Sequence, residues 1–459
     1  MKRDKSAKHS KRGKARSSHS RTTTRDTGFR ALVIGSPKRS ASPQQHGWDA
    51  FFPYYAGFPE PFARSLLDSA KLPQDAVILD PWNGSGTTTY AASHLGFSSV
   101  GVDLNPVMTI VSRARLLPPS EADSLESLAL EITKGLRGNM ELLEPEDPLL
   151  DWFNTDTSAL IRSLELRIQR HLLGELTKTQ QGTKFENVSG LAATFYVALF
   201  TVARNLVGAY QSSNPTWVRR PKKDEHRIQC SRERLLGKFL GNIRAMALAL
   251  LRQKSSGKPE LANVELQIAD STRLKLPDRS VDFILTSPPY CTRIDYAAAT
   301  RIELAILFPL LKLSMENLGR RMIGSTRVPR RRLAPRKEWG VECNDLLNAV
   351  KTHPSHASDT YYYKTHLDYF DKMYRSILGI SRTLKDDGRV VLVVQDSHYK
   401  EIHNDLAKII TQMSHRSGLR LRRRVNFSIK NSMAGVNPRS NAHRTGTEAV
   451  ESVLCFQKS

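Results

Sequence analysis

Apolar positions along this chain follow two periods. Short, nearly continuous apolar runs at 76–80, 99–103, 264–269, 281–286 and 389–395 read as strands buried on both faces. Helix-period stretches stand between and beside them, at 60–67, 87–95, 297–311, 363–384 and 401–414. The succession strand, Gly-rich turn, helix, strand over 76–103 has short connections, so it predicts a βαβ unit and a parallel sheet. Two closing runs, Leu421–Ile429 and Ala449–Gln457, are joined by a loop and predict an antiparallel edge on that sheet.

The texture changes twice inside this pattern. Residues 120–136, 156–173, 190–207 and 232–251 carry only helix-period positions, which predicts a helical insertion over 117–258, broken by the polar loop Ser212–Arg227. A second insertion, 312–357, is basic and punctuated by Gly and Pro, which predicts loops. The expected organisation is a disordered basic arm (1–47), an α/β core in three pieces (48–116, 259–311 and 358–459), and the two insertions. No internal repeat is visible.

Charge narrows the partners. Lys and Arg number 69 against 45 Asp and Glu, a net charge of +24 that favours a polyanion, nucleic acid before a membrane surface. The arm concentrates this charge in Lys2, Arg3, Lys5, Lys8, Lys11, Arg12, Lys14 and Arg16. It reads as a phosphate-binding or a solvated tail, with an Arg- and Ser-rich transit peptide as a further reading. No run approaches the roughly 18 apolar residues of a membrane span, and the N-terminus lacks the apolar stretch of a secretory signal. Cys230, Cys291, Cys343 and Cys455 lie far apart, which points to a reducing cytoplasm and away from disulfides or a metal site.

The first strand ends in Asp80-Pro81-Trp82-Asn83-Gly84-Ser85-Gly86-Thr87-Thr88. Gly84 and Gly86 permit close backbone approach, and the free N–H groups of the following helix suit a phosphate or carboxylate. A triphosphate loop would need Lys before Ser/Thr, and a dinucleotide turn a third Gly where Thr89 stands. S-adenosylmethionine needs a Gly turn and an acid at the end of the next strand, which Asp103 supplies. Asp270, followed by Ser271, ends the third strand and could accept from an adenine amino group.

The fourth strand ends in Ser287-Pro288-Pro289-Tyr290. Each Pro fixes φ and removes a backbone donor. The result is a rigid ledge with a hydroxyl, free carbonyls and an aromatic face. Asp80–Thr88, Asp103, Asp270 and Ser287–Tyr290, in this order, resemble the DNA amino-methyltransferases that modify cytosine N4 or adenine N6. The resemblance covers roughly 48–116, 262–311 and 363–457. It implies a Rossmann-like methyltransferase sheet, mostly parallel, carrying the helical and the basic loop-rich insertions. It also implies S-adenosyl-L-methionine as cofactor, held by Phe58, Asp80, Pro81, Asn83, Gly84, Ser85, Gly86, Thr87, Asp103, Asp270 and Ser271.

On that reading Ser287 and the Pro288 carbonyl accept the amino hydrogens, Pro289 keeps the ledge rigid, and Tyr290 stacks on a base swung out of duplex DNA. Ser as the opening residue leans to cytosine N4. Adenine N6, an RNA amine, or a binding protein with a relic fold are the alternatives. A cytosine carbon-5 route is excluded because no Pro-Cys nucleophile pair occurs, so Glu186-Asn187-Val188 is a decoy and Cys291 is packing. Gln395-Asp396-Ser397-His398 could line the target pocket, but His398 is left out of the catalytic set.

DNA contact is expected first from Arg320, Arg321, Arg327, Arg330, Arg331, Arg332, Arg336 and Lys337. The segment Trp217–Lys223 and Arg420, Arg422, Arg423 and Arg424 are further candidates. The resemblance also implies a prokaryotic restriction-modification or defence setting with a cognate restriction protein as a possible partner.

Overall fold

A computed structural model describes residues 28–38, 51–53, 57–173, 188–211, 218–255, 261–291, 295–311, 314–328, 332–429 and 449–459. Arg330 and Arg331, the arm before residue 28 and the Glu186-Asn187 pair lie outside the described residues.

The centre is a seven-stranded sheet built from β1 (Val77–Asp80), β2 (Ser98–Asp103), β3 (Val264–Ile268), β4 (Val281–Thr286), β5 (Leu384–Gln395), β8 (Leu419–Ile429) and β9 (Ala449–Lys458). A two-stranded hairpin, β6 (Ser397–Tyr399) with β7 (Ile402–Asn404), stands apart from it. The sheet order is β3-β2-β1-β4-β5-β9-β8. The first five strands pair in parallel, and β9 runs antiparallel to both β5 and β8. This is a Rossmann-like sheet, mostly parallel with an antiparallel edge, as the sequence predicts. Strand order reverses between β1 and β4, and ligands of open α/β sheets bind outside the carboxyl ends at such a switch point.

Alternation along the strands sends apolar residues to both faces. Ile78, Phe283, Leu285, Val391 and Val393 pack under α1 (Glu60–Ser69) and α2 (Thr87–His94). Leu79, Ile284, Val390, Leu392 and Val394 face the opposite layer, where α9 (Val341–Thr352), α10 (Tyr363–Thr383) and α11 (Leu406–Arg416) lie.

The helical insertion gathers α3 (Pro106–Arg115), α4 (Ala122–Thr133), α5 (Thr155–Leu172), α6 (Gly190–Leu206) and α7 (Arg232–Ser255) into a core of its own. The basic insertion is more helical than its Gly and Pro content predicts. It contains α8 (Met315–Arg321) and α9 (Val341–Thr352), which precede α10 (Tyr363–Thr383) and α11 (Leu406–Arg416).

Four expectations are corrected. Residues 28–38, assigned to the disordered arm, dock on the sheet: Phe29 and Leu32 are buried, and Arg423 donates to both of their carbonyls. That contact also takes Arg423 out of the candidate phosphate contacts. The stretch Gly190–Tyr210 is long and apolar enough to cross a membrane by length and composition, yet most of it is buried within the protein. The helix expected over 297–311 is three short turns, Tyr296–Ala299, Arg301–Ile306 and Phe308–Leu311. Its carbonyls at Ala299, Ala305 and Ile306 accept hydrogen bonds from Arg204 and Arg162 of the helical insertion.

Candidate active site

The carboxyl ends of β1 and β4 are tied directly to one another. Ile78 and Leu79 pair with Phe283 and Ile284, so Asp80 and Thr286 arrive side by side. The Thr286 hydroxyl donates to Asp80 Oδ1 at 2.6 Å, and the Trp82 N–H donates to the same oxygen at 3.1 Å. The Gly-rich turn after β1 and the Ser-Pro-Pro-Tyr ledge after β4 therefore begin from one hydrogen-bonded junction.

The turn is built by its own backbone. Asn83 N–H donates to Val102 O and Gly86 N–H to Asn83 O. Gly86, at φ +80°, starts α2, and a Cβ there would lie 2.1 Å from Ser112 Oγ on α3. Only Gly fits that approach. Asn83 fixes α3 from the other side by donating to Ser112 Oγ at 3.0 Å.

Asp103 ends β2, and its two oxygens accept from Gly84 N–H at 2.9 Å and Asn105 N–H at 2.8 Å. Each oxygen keeps a lone pair for a further donor, as vicinal hydroxyls require. Burial pushes the carboxyls of Asp80 and Asp103 up to about 6, against the opposing effect of these hydrogen bonds. Asp270 lies next along the rim, because β3 pairs with β2 up to Asp103 and Ile268. One of its oxygens accepts from Thr272 N–H; the other takes no hydrogen bond among the described residues.

These groups share one cleft with the ledge. Phe58, Asp80, Pro81, Asn83, Gly84, Ser85, Thr87, Asp103, Asp270 and Ser271 line it, and so do Ser287, Pro288, Pro289 and Tyr290. Gly86 stands behind the lining, where it shapes the turn. The Ser287 hydroxyl donates to Val393 O on β5 at 3.0 Å. Its hydrogen is thereby committed and its oxygen remains an acceptor. The Pro288 carbonyl takes part in no hydrogen bond among the described residues.

The basic residues separate into distinct groups. Arg321 is exposed, lines the cleft and makes no ion pair among the described residues. Arg320 is occupied by Glu316 and by the Val328 carbonyl, and Arg336 by the buried Asp371. Arg327 is half-buried, and Arg332 and Lys337 are exposed. Arg220 of the second candidate segment pairs with Asp151 at 2.8 Å. Arg422 is half-buried, Arg424 bonds Asn426 on its own strand, and Arg420 is exposed. Gln395, Asp396 and His398 do not line the cleft; His398 sits in the hairpin against His403. Cys291 is buried in the apolar core, and the other three cysteines are also buried and unpaired.

Several lining residues escape a reading of the sequence. Trp82 lines this site, and its indole N–H is buried without a partner among the described residues. Asn105 caps α3 and also donates to Thr300 Oγ1 at 2.8 Å, joining the turn after β2 to the segment after the ledge. Tyr296, Met322 and Ile323 complete the wall beside Tyr290. For Asn105 a local signal exists, since Asn followed by Pro is a strong helix start.

A DNA methylase family model matches residues 2–110. The Type II methyltransferase M.BsoBI of Geobacillus stearothermophilus is 24% identical over 285 residues, which are 57% of this chain and 52% of that protein. Over these stretches the chain is similar in sequence to DNA methylases. The chain spans about half the length of the curated relative it matches.

Among solved structures, a SAM-dependent methyltransferase from Methanosarcina mazei is 11% identical, with TM-score 0.28 and coverage of 85% of this chain and 96% of that one. The rRNA methyltransferase aviRa from Streptomyces viridochromogenes is 9% identical, with TM-score 0.28 and coverage of 92% and 96%. At such scores the strand order, rather than the likeness, carries the fold.

The donor set fits S-adenosyl-L-methionine. Asp103 offers acceptors for a ribose diol and Asp270 an acceptor for an adenine amino group. The start of α2 offers its free N–H groups to a carboxylate.

Proposed function

We propose that the protein methylates an exocyclic amino group of a DNA base, preferably cytosine N4, on a nucleotide swung out of the duplex. The observation that carries this reading is the Thr286–Asp80 hydrogen bond, which sets the cofactor turn and the ledge at one cleft. When bound, S-adenosyl-L-methionine supplies an electrophilic methyl group on a sulfonium.

The chain's own residues prepare the amine. Its lone pair is delocalised into the base ring, so it is a poor nucleophile. The Ser287 oxygen and the Pro288 carbonyl are two acceptors for its two hydrogens. Holding both draws the nitrogen toward tetrahedral geometry and localises the lone pair, a stabilisation that grows toward the transition state. Tyr290 offers a ring on which the base can stack. No side chain in this scheme removes a proton before transfer; the methylated nitrogen releases its surplus proton to water afterwards, and positioning supplies much of the rate.

Arg321, at the rim of the cleft and in no ion pair among the described residues, is the first candidate for a backbone phosphate beside the target; exposed Arg332 and Lys337 come next. Ser at the head of the ledge leans to cytosine only through the resemblance to the Ser-headed form of the family; its hydroxyl, already donating to Val393, presents an acceptor that either amine can use. Double substitution of Ser287→Ala and Tyr290→Ala tests the site: transfer to DNA is expected to disappear while cofactor binding persists. Undiminished transfer would refute the assignment.

A further inference from the structure

Two prolines fix φ at positions 288 and 289, yet the ledge keeps one soft element. The Pro289–Tyr290 peptide plane can still rotate about ψ of Pro289. Both ends of this single peptide group are held by tyrosine hydroxyls. Tyr369 Oη donates to Pro289 O at 2.9 Å, and Tyr290 N–H donates to Tyr296 Oη at 3.1 Å. We propose that Tyr296 and Tyr369 form a two-point clamp on the Pro289–Tyr290 peptide and are positioning residues for the reaction proposed above, on which this inference rests.

Each jaw is anchored in a different part of the protein. Tyr369 is fully buried on α10 and packs edge-on against Phe370. Tyr296 opens the short helical turn capped by Asp295, whose carboxylate accepts from Ala298 N–H. Its carbonyl accepts from Thr300 Oγ1, and Thr300 in turn accepts from Asn105, two residues beyond Asp103. One jaw is thus tied to α10, and the other to the cofactor side of the cleft.

The next peptide is held by close packing. Gly324 has φ +76°, and a Cβ there would lie 2.5 Å from Tyr290 O. The loop carrying Gly324 is itself held by Lys372, whose ammonium donates to the carbonyls of Arg320 and Met322. Burial pushes both clamp phenols upward, so they stay protonated across the working pH range.

With this plane fixed, the Pro288 carbonyl and the Tyr290 ring share one fixed geometry before any base arrives. Such pre-organised acceptors need no rearrangement at the moment of reaction. Loss of either hydroxyl leaves one end of the peptide unpaired and lets the plane turn.

The test measures methyl transfer to duplex DNA by the full chain and its Tyr296→Phe, Tyr369→Phe and double variants. Each rate is normalised to the number of cofactor-binding sites titrated with S-adenosylhomocysteine, so that unfolded protein does not count. A misplacement of about 1 Å costs on the order of 100-fold, so each single variant is expected to lose about 10- to 100-fold in kcat. The KM for DNA and the affinity for S-adenosylhomocysteine are expected to stay within about twofold. The double variant is expected to lose less than the product of the single losses, because both hydroxyls act on one peptide.

Single variants with kcat within twofold of the unaltered protein, or equal losses in kcat and cofactor affinity, would overturn the clamp. A variant that titrates no cofactor sites would likewise count against a positioning role. An unaltered protein that transfers no methyl group would instead overturn the proposed function, and the clamp with it.

Discussion

Asp80→Asn separates folding from ligand binding in this cleft. The Asp80 carboxyl is buried, and burial raises it from 3.8 to about 6. A raised acid binds its proton more tightly in the folded state. Its stabilising protonated form is complete below pH 3.8, and stability is lost as pH climbs from about 4 to about 6. Above pH 6 the cost of the ionised form levels off at about 3 kcal/mol, from about two pKa units at 1.36 kcal/mol each. Asn keeps an oxygen for Thr286 and Trp82 and carries no charge.

The variant is therefore expected to exceed the original protein in stability at pH 8, and this advantage is about 1.5 kcal/mol larger at pH 8 than at pH 5. Urea unfolding of the ligand-free chain at the two pH values reads the difference. The same variant is expected to bind S-adenosyl-L-methionine more weakly above pH 6, because it lacks a negative group for a cationic ligand. An advantage that does not change with pH, or a less stable variant at pH 8, would refute the reasoning from burial.

Gly86→Ala places a methyl against Ser112 at a left-handed φ, so a loss of about 3 kcal/mol by thermal or urea unfolding and defective cofactor binding are expected. Arg321→Ala is expected to lower the slope of log Kd against log salt for DNA by about 0.9, whereas Arg320→Ala, already paired with Glu316, is expected to leave that slope unchanged. Arg162→Leu removes the partner of buried Asp147 and the donor to Ala305 and Ile306, and is expected to cost about 3–5 kcal/mol in unfolding measurements.

The centre of the sheet was legible because its strands are buried on both faces and read as continuous apolar runs. The Gly turn and the double-Pro ledge were legible because each needs particular residue types at particular backbone positions. The helix α3 is not among the helices the apolar pattern predicts, although Asn105-Pro106 is a strong helix start. The turns at 296–311 carry a helical period and still break: Pro309 has no N–H for the Ala305 carbonyl, and arginines 95 and 143 positions or more away bond the carbonyls at Ala299, Ala305 and Ile306. Charge alone could not sort Arg320 and Arg336 from Arg321, since the carboxylate of Asp371 that occupies Arg336 is remote in sequence. The Tyr369 jaw is 80 residues from the carbonyl it holds, a relation no local pattern encodes.

Incubating the full chain with labelled S-adenosyl-L-methionine and duplex DNA, then digesting to nucleosides, tests the central claim most directly. Label in N4-methylcytosine is the expected result. The absence of label from both N4-methylcytosine and N6-methyladenine, with a cofactor-binding protein, would contradict it.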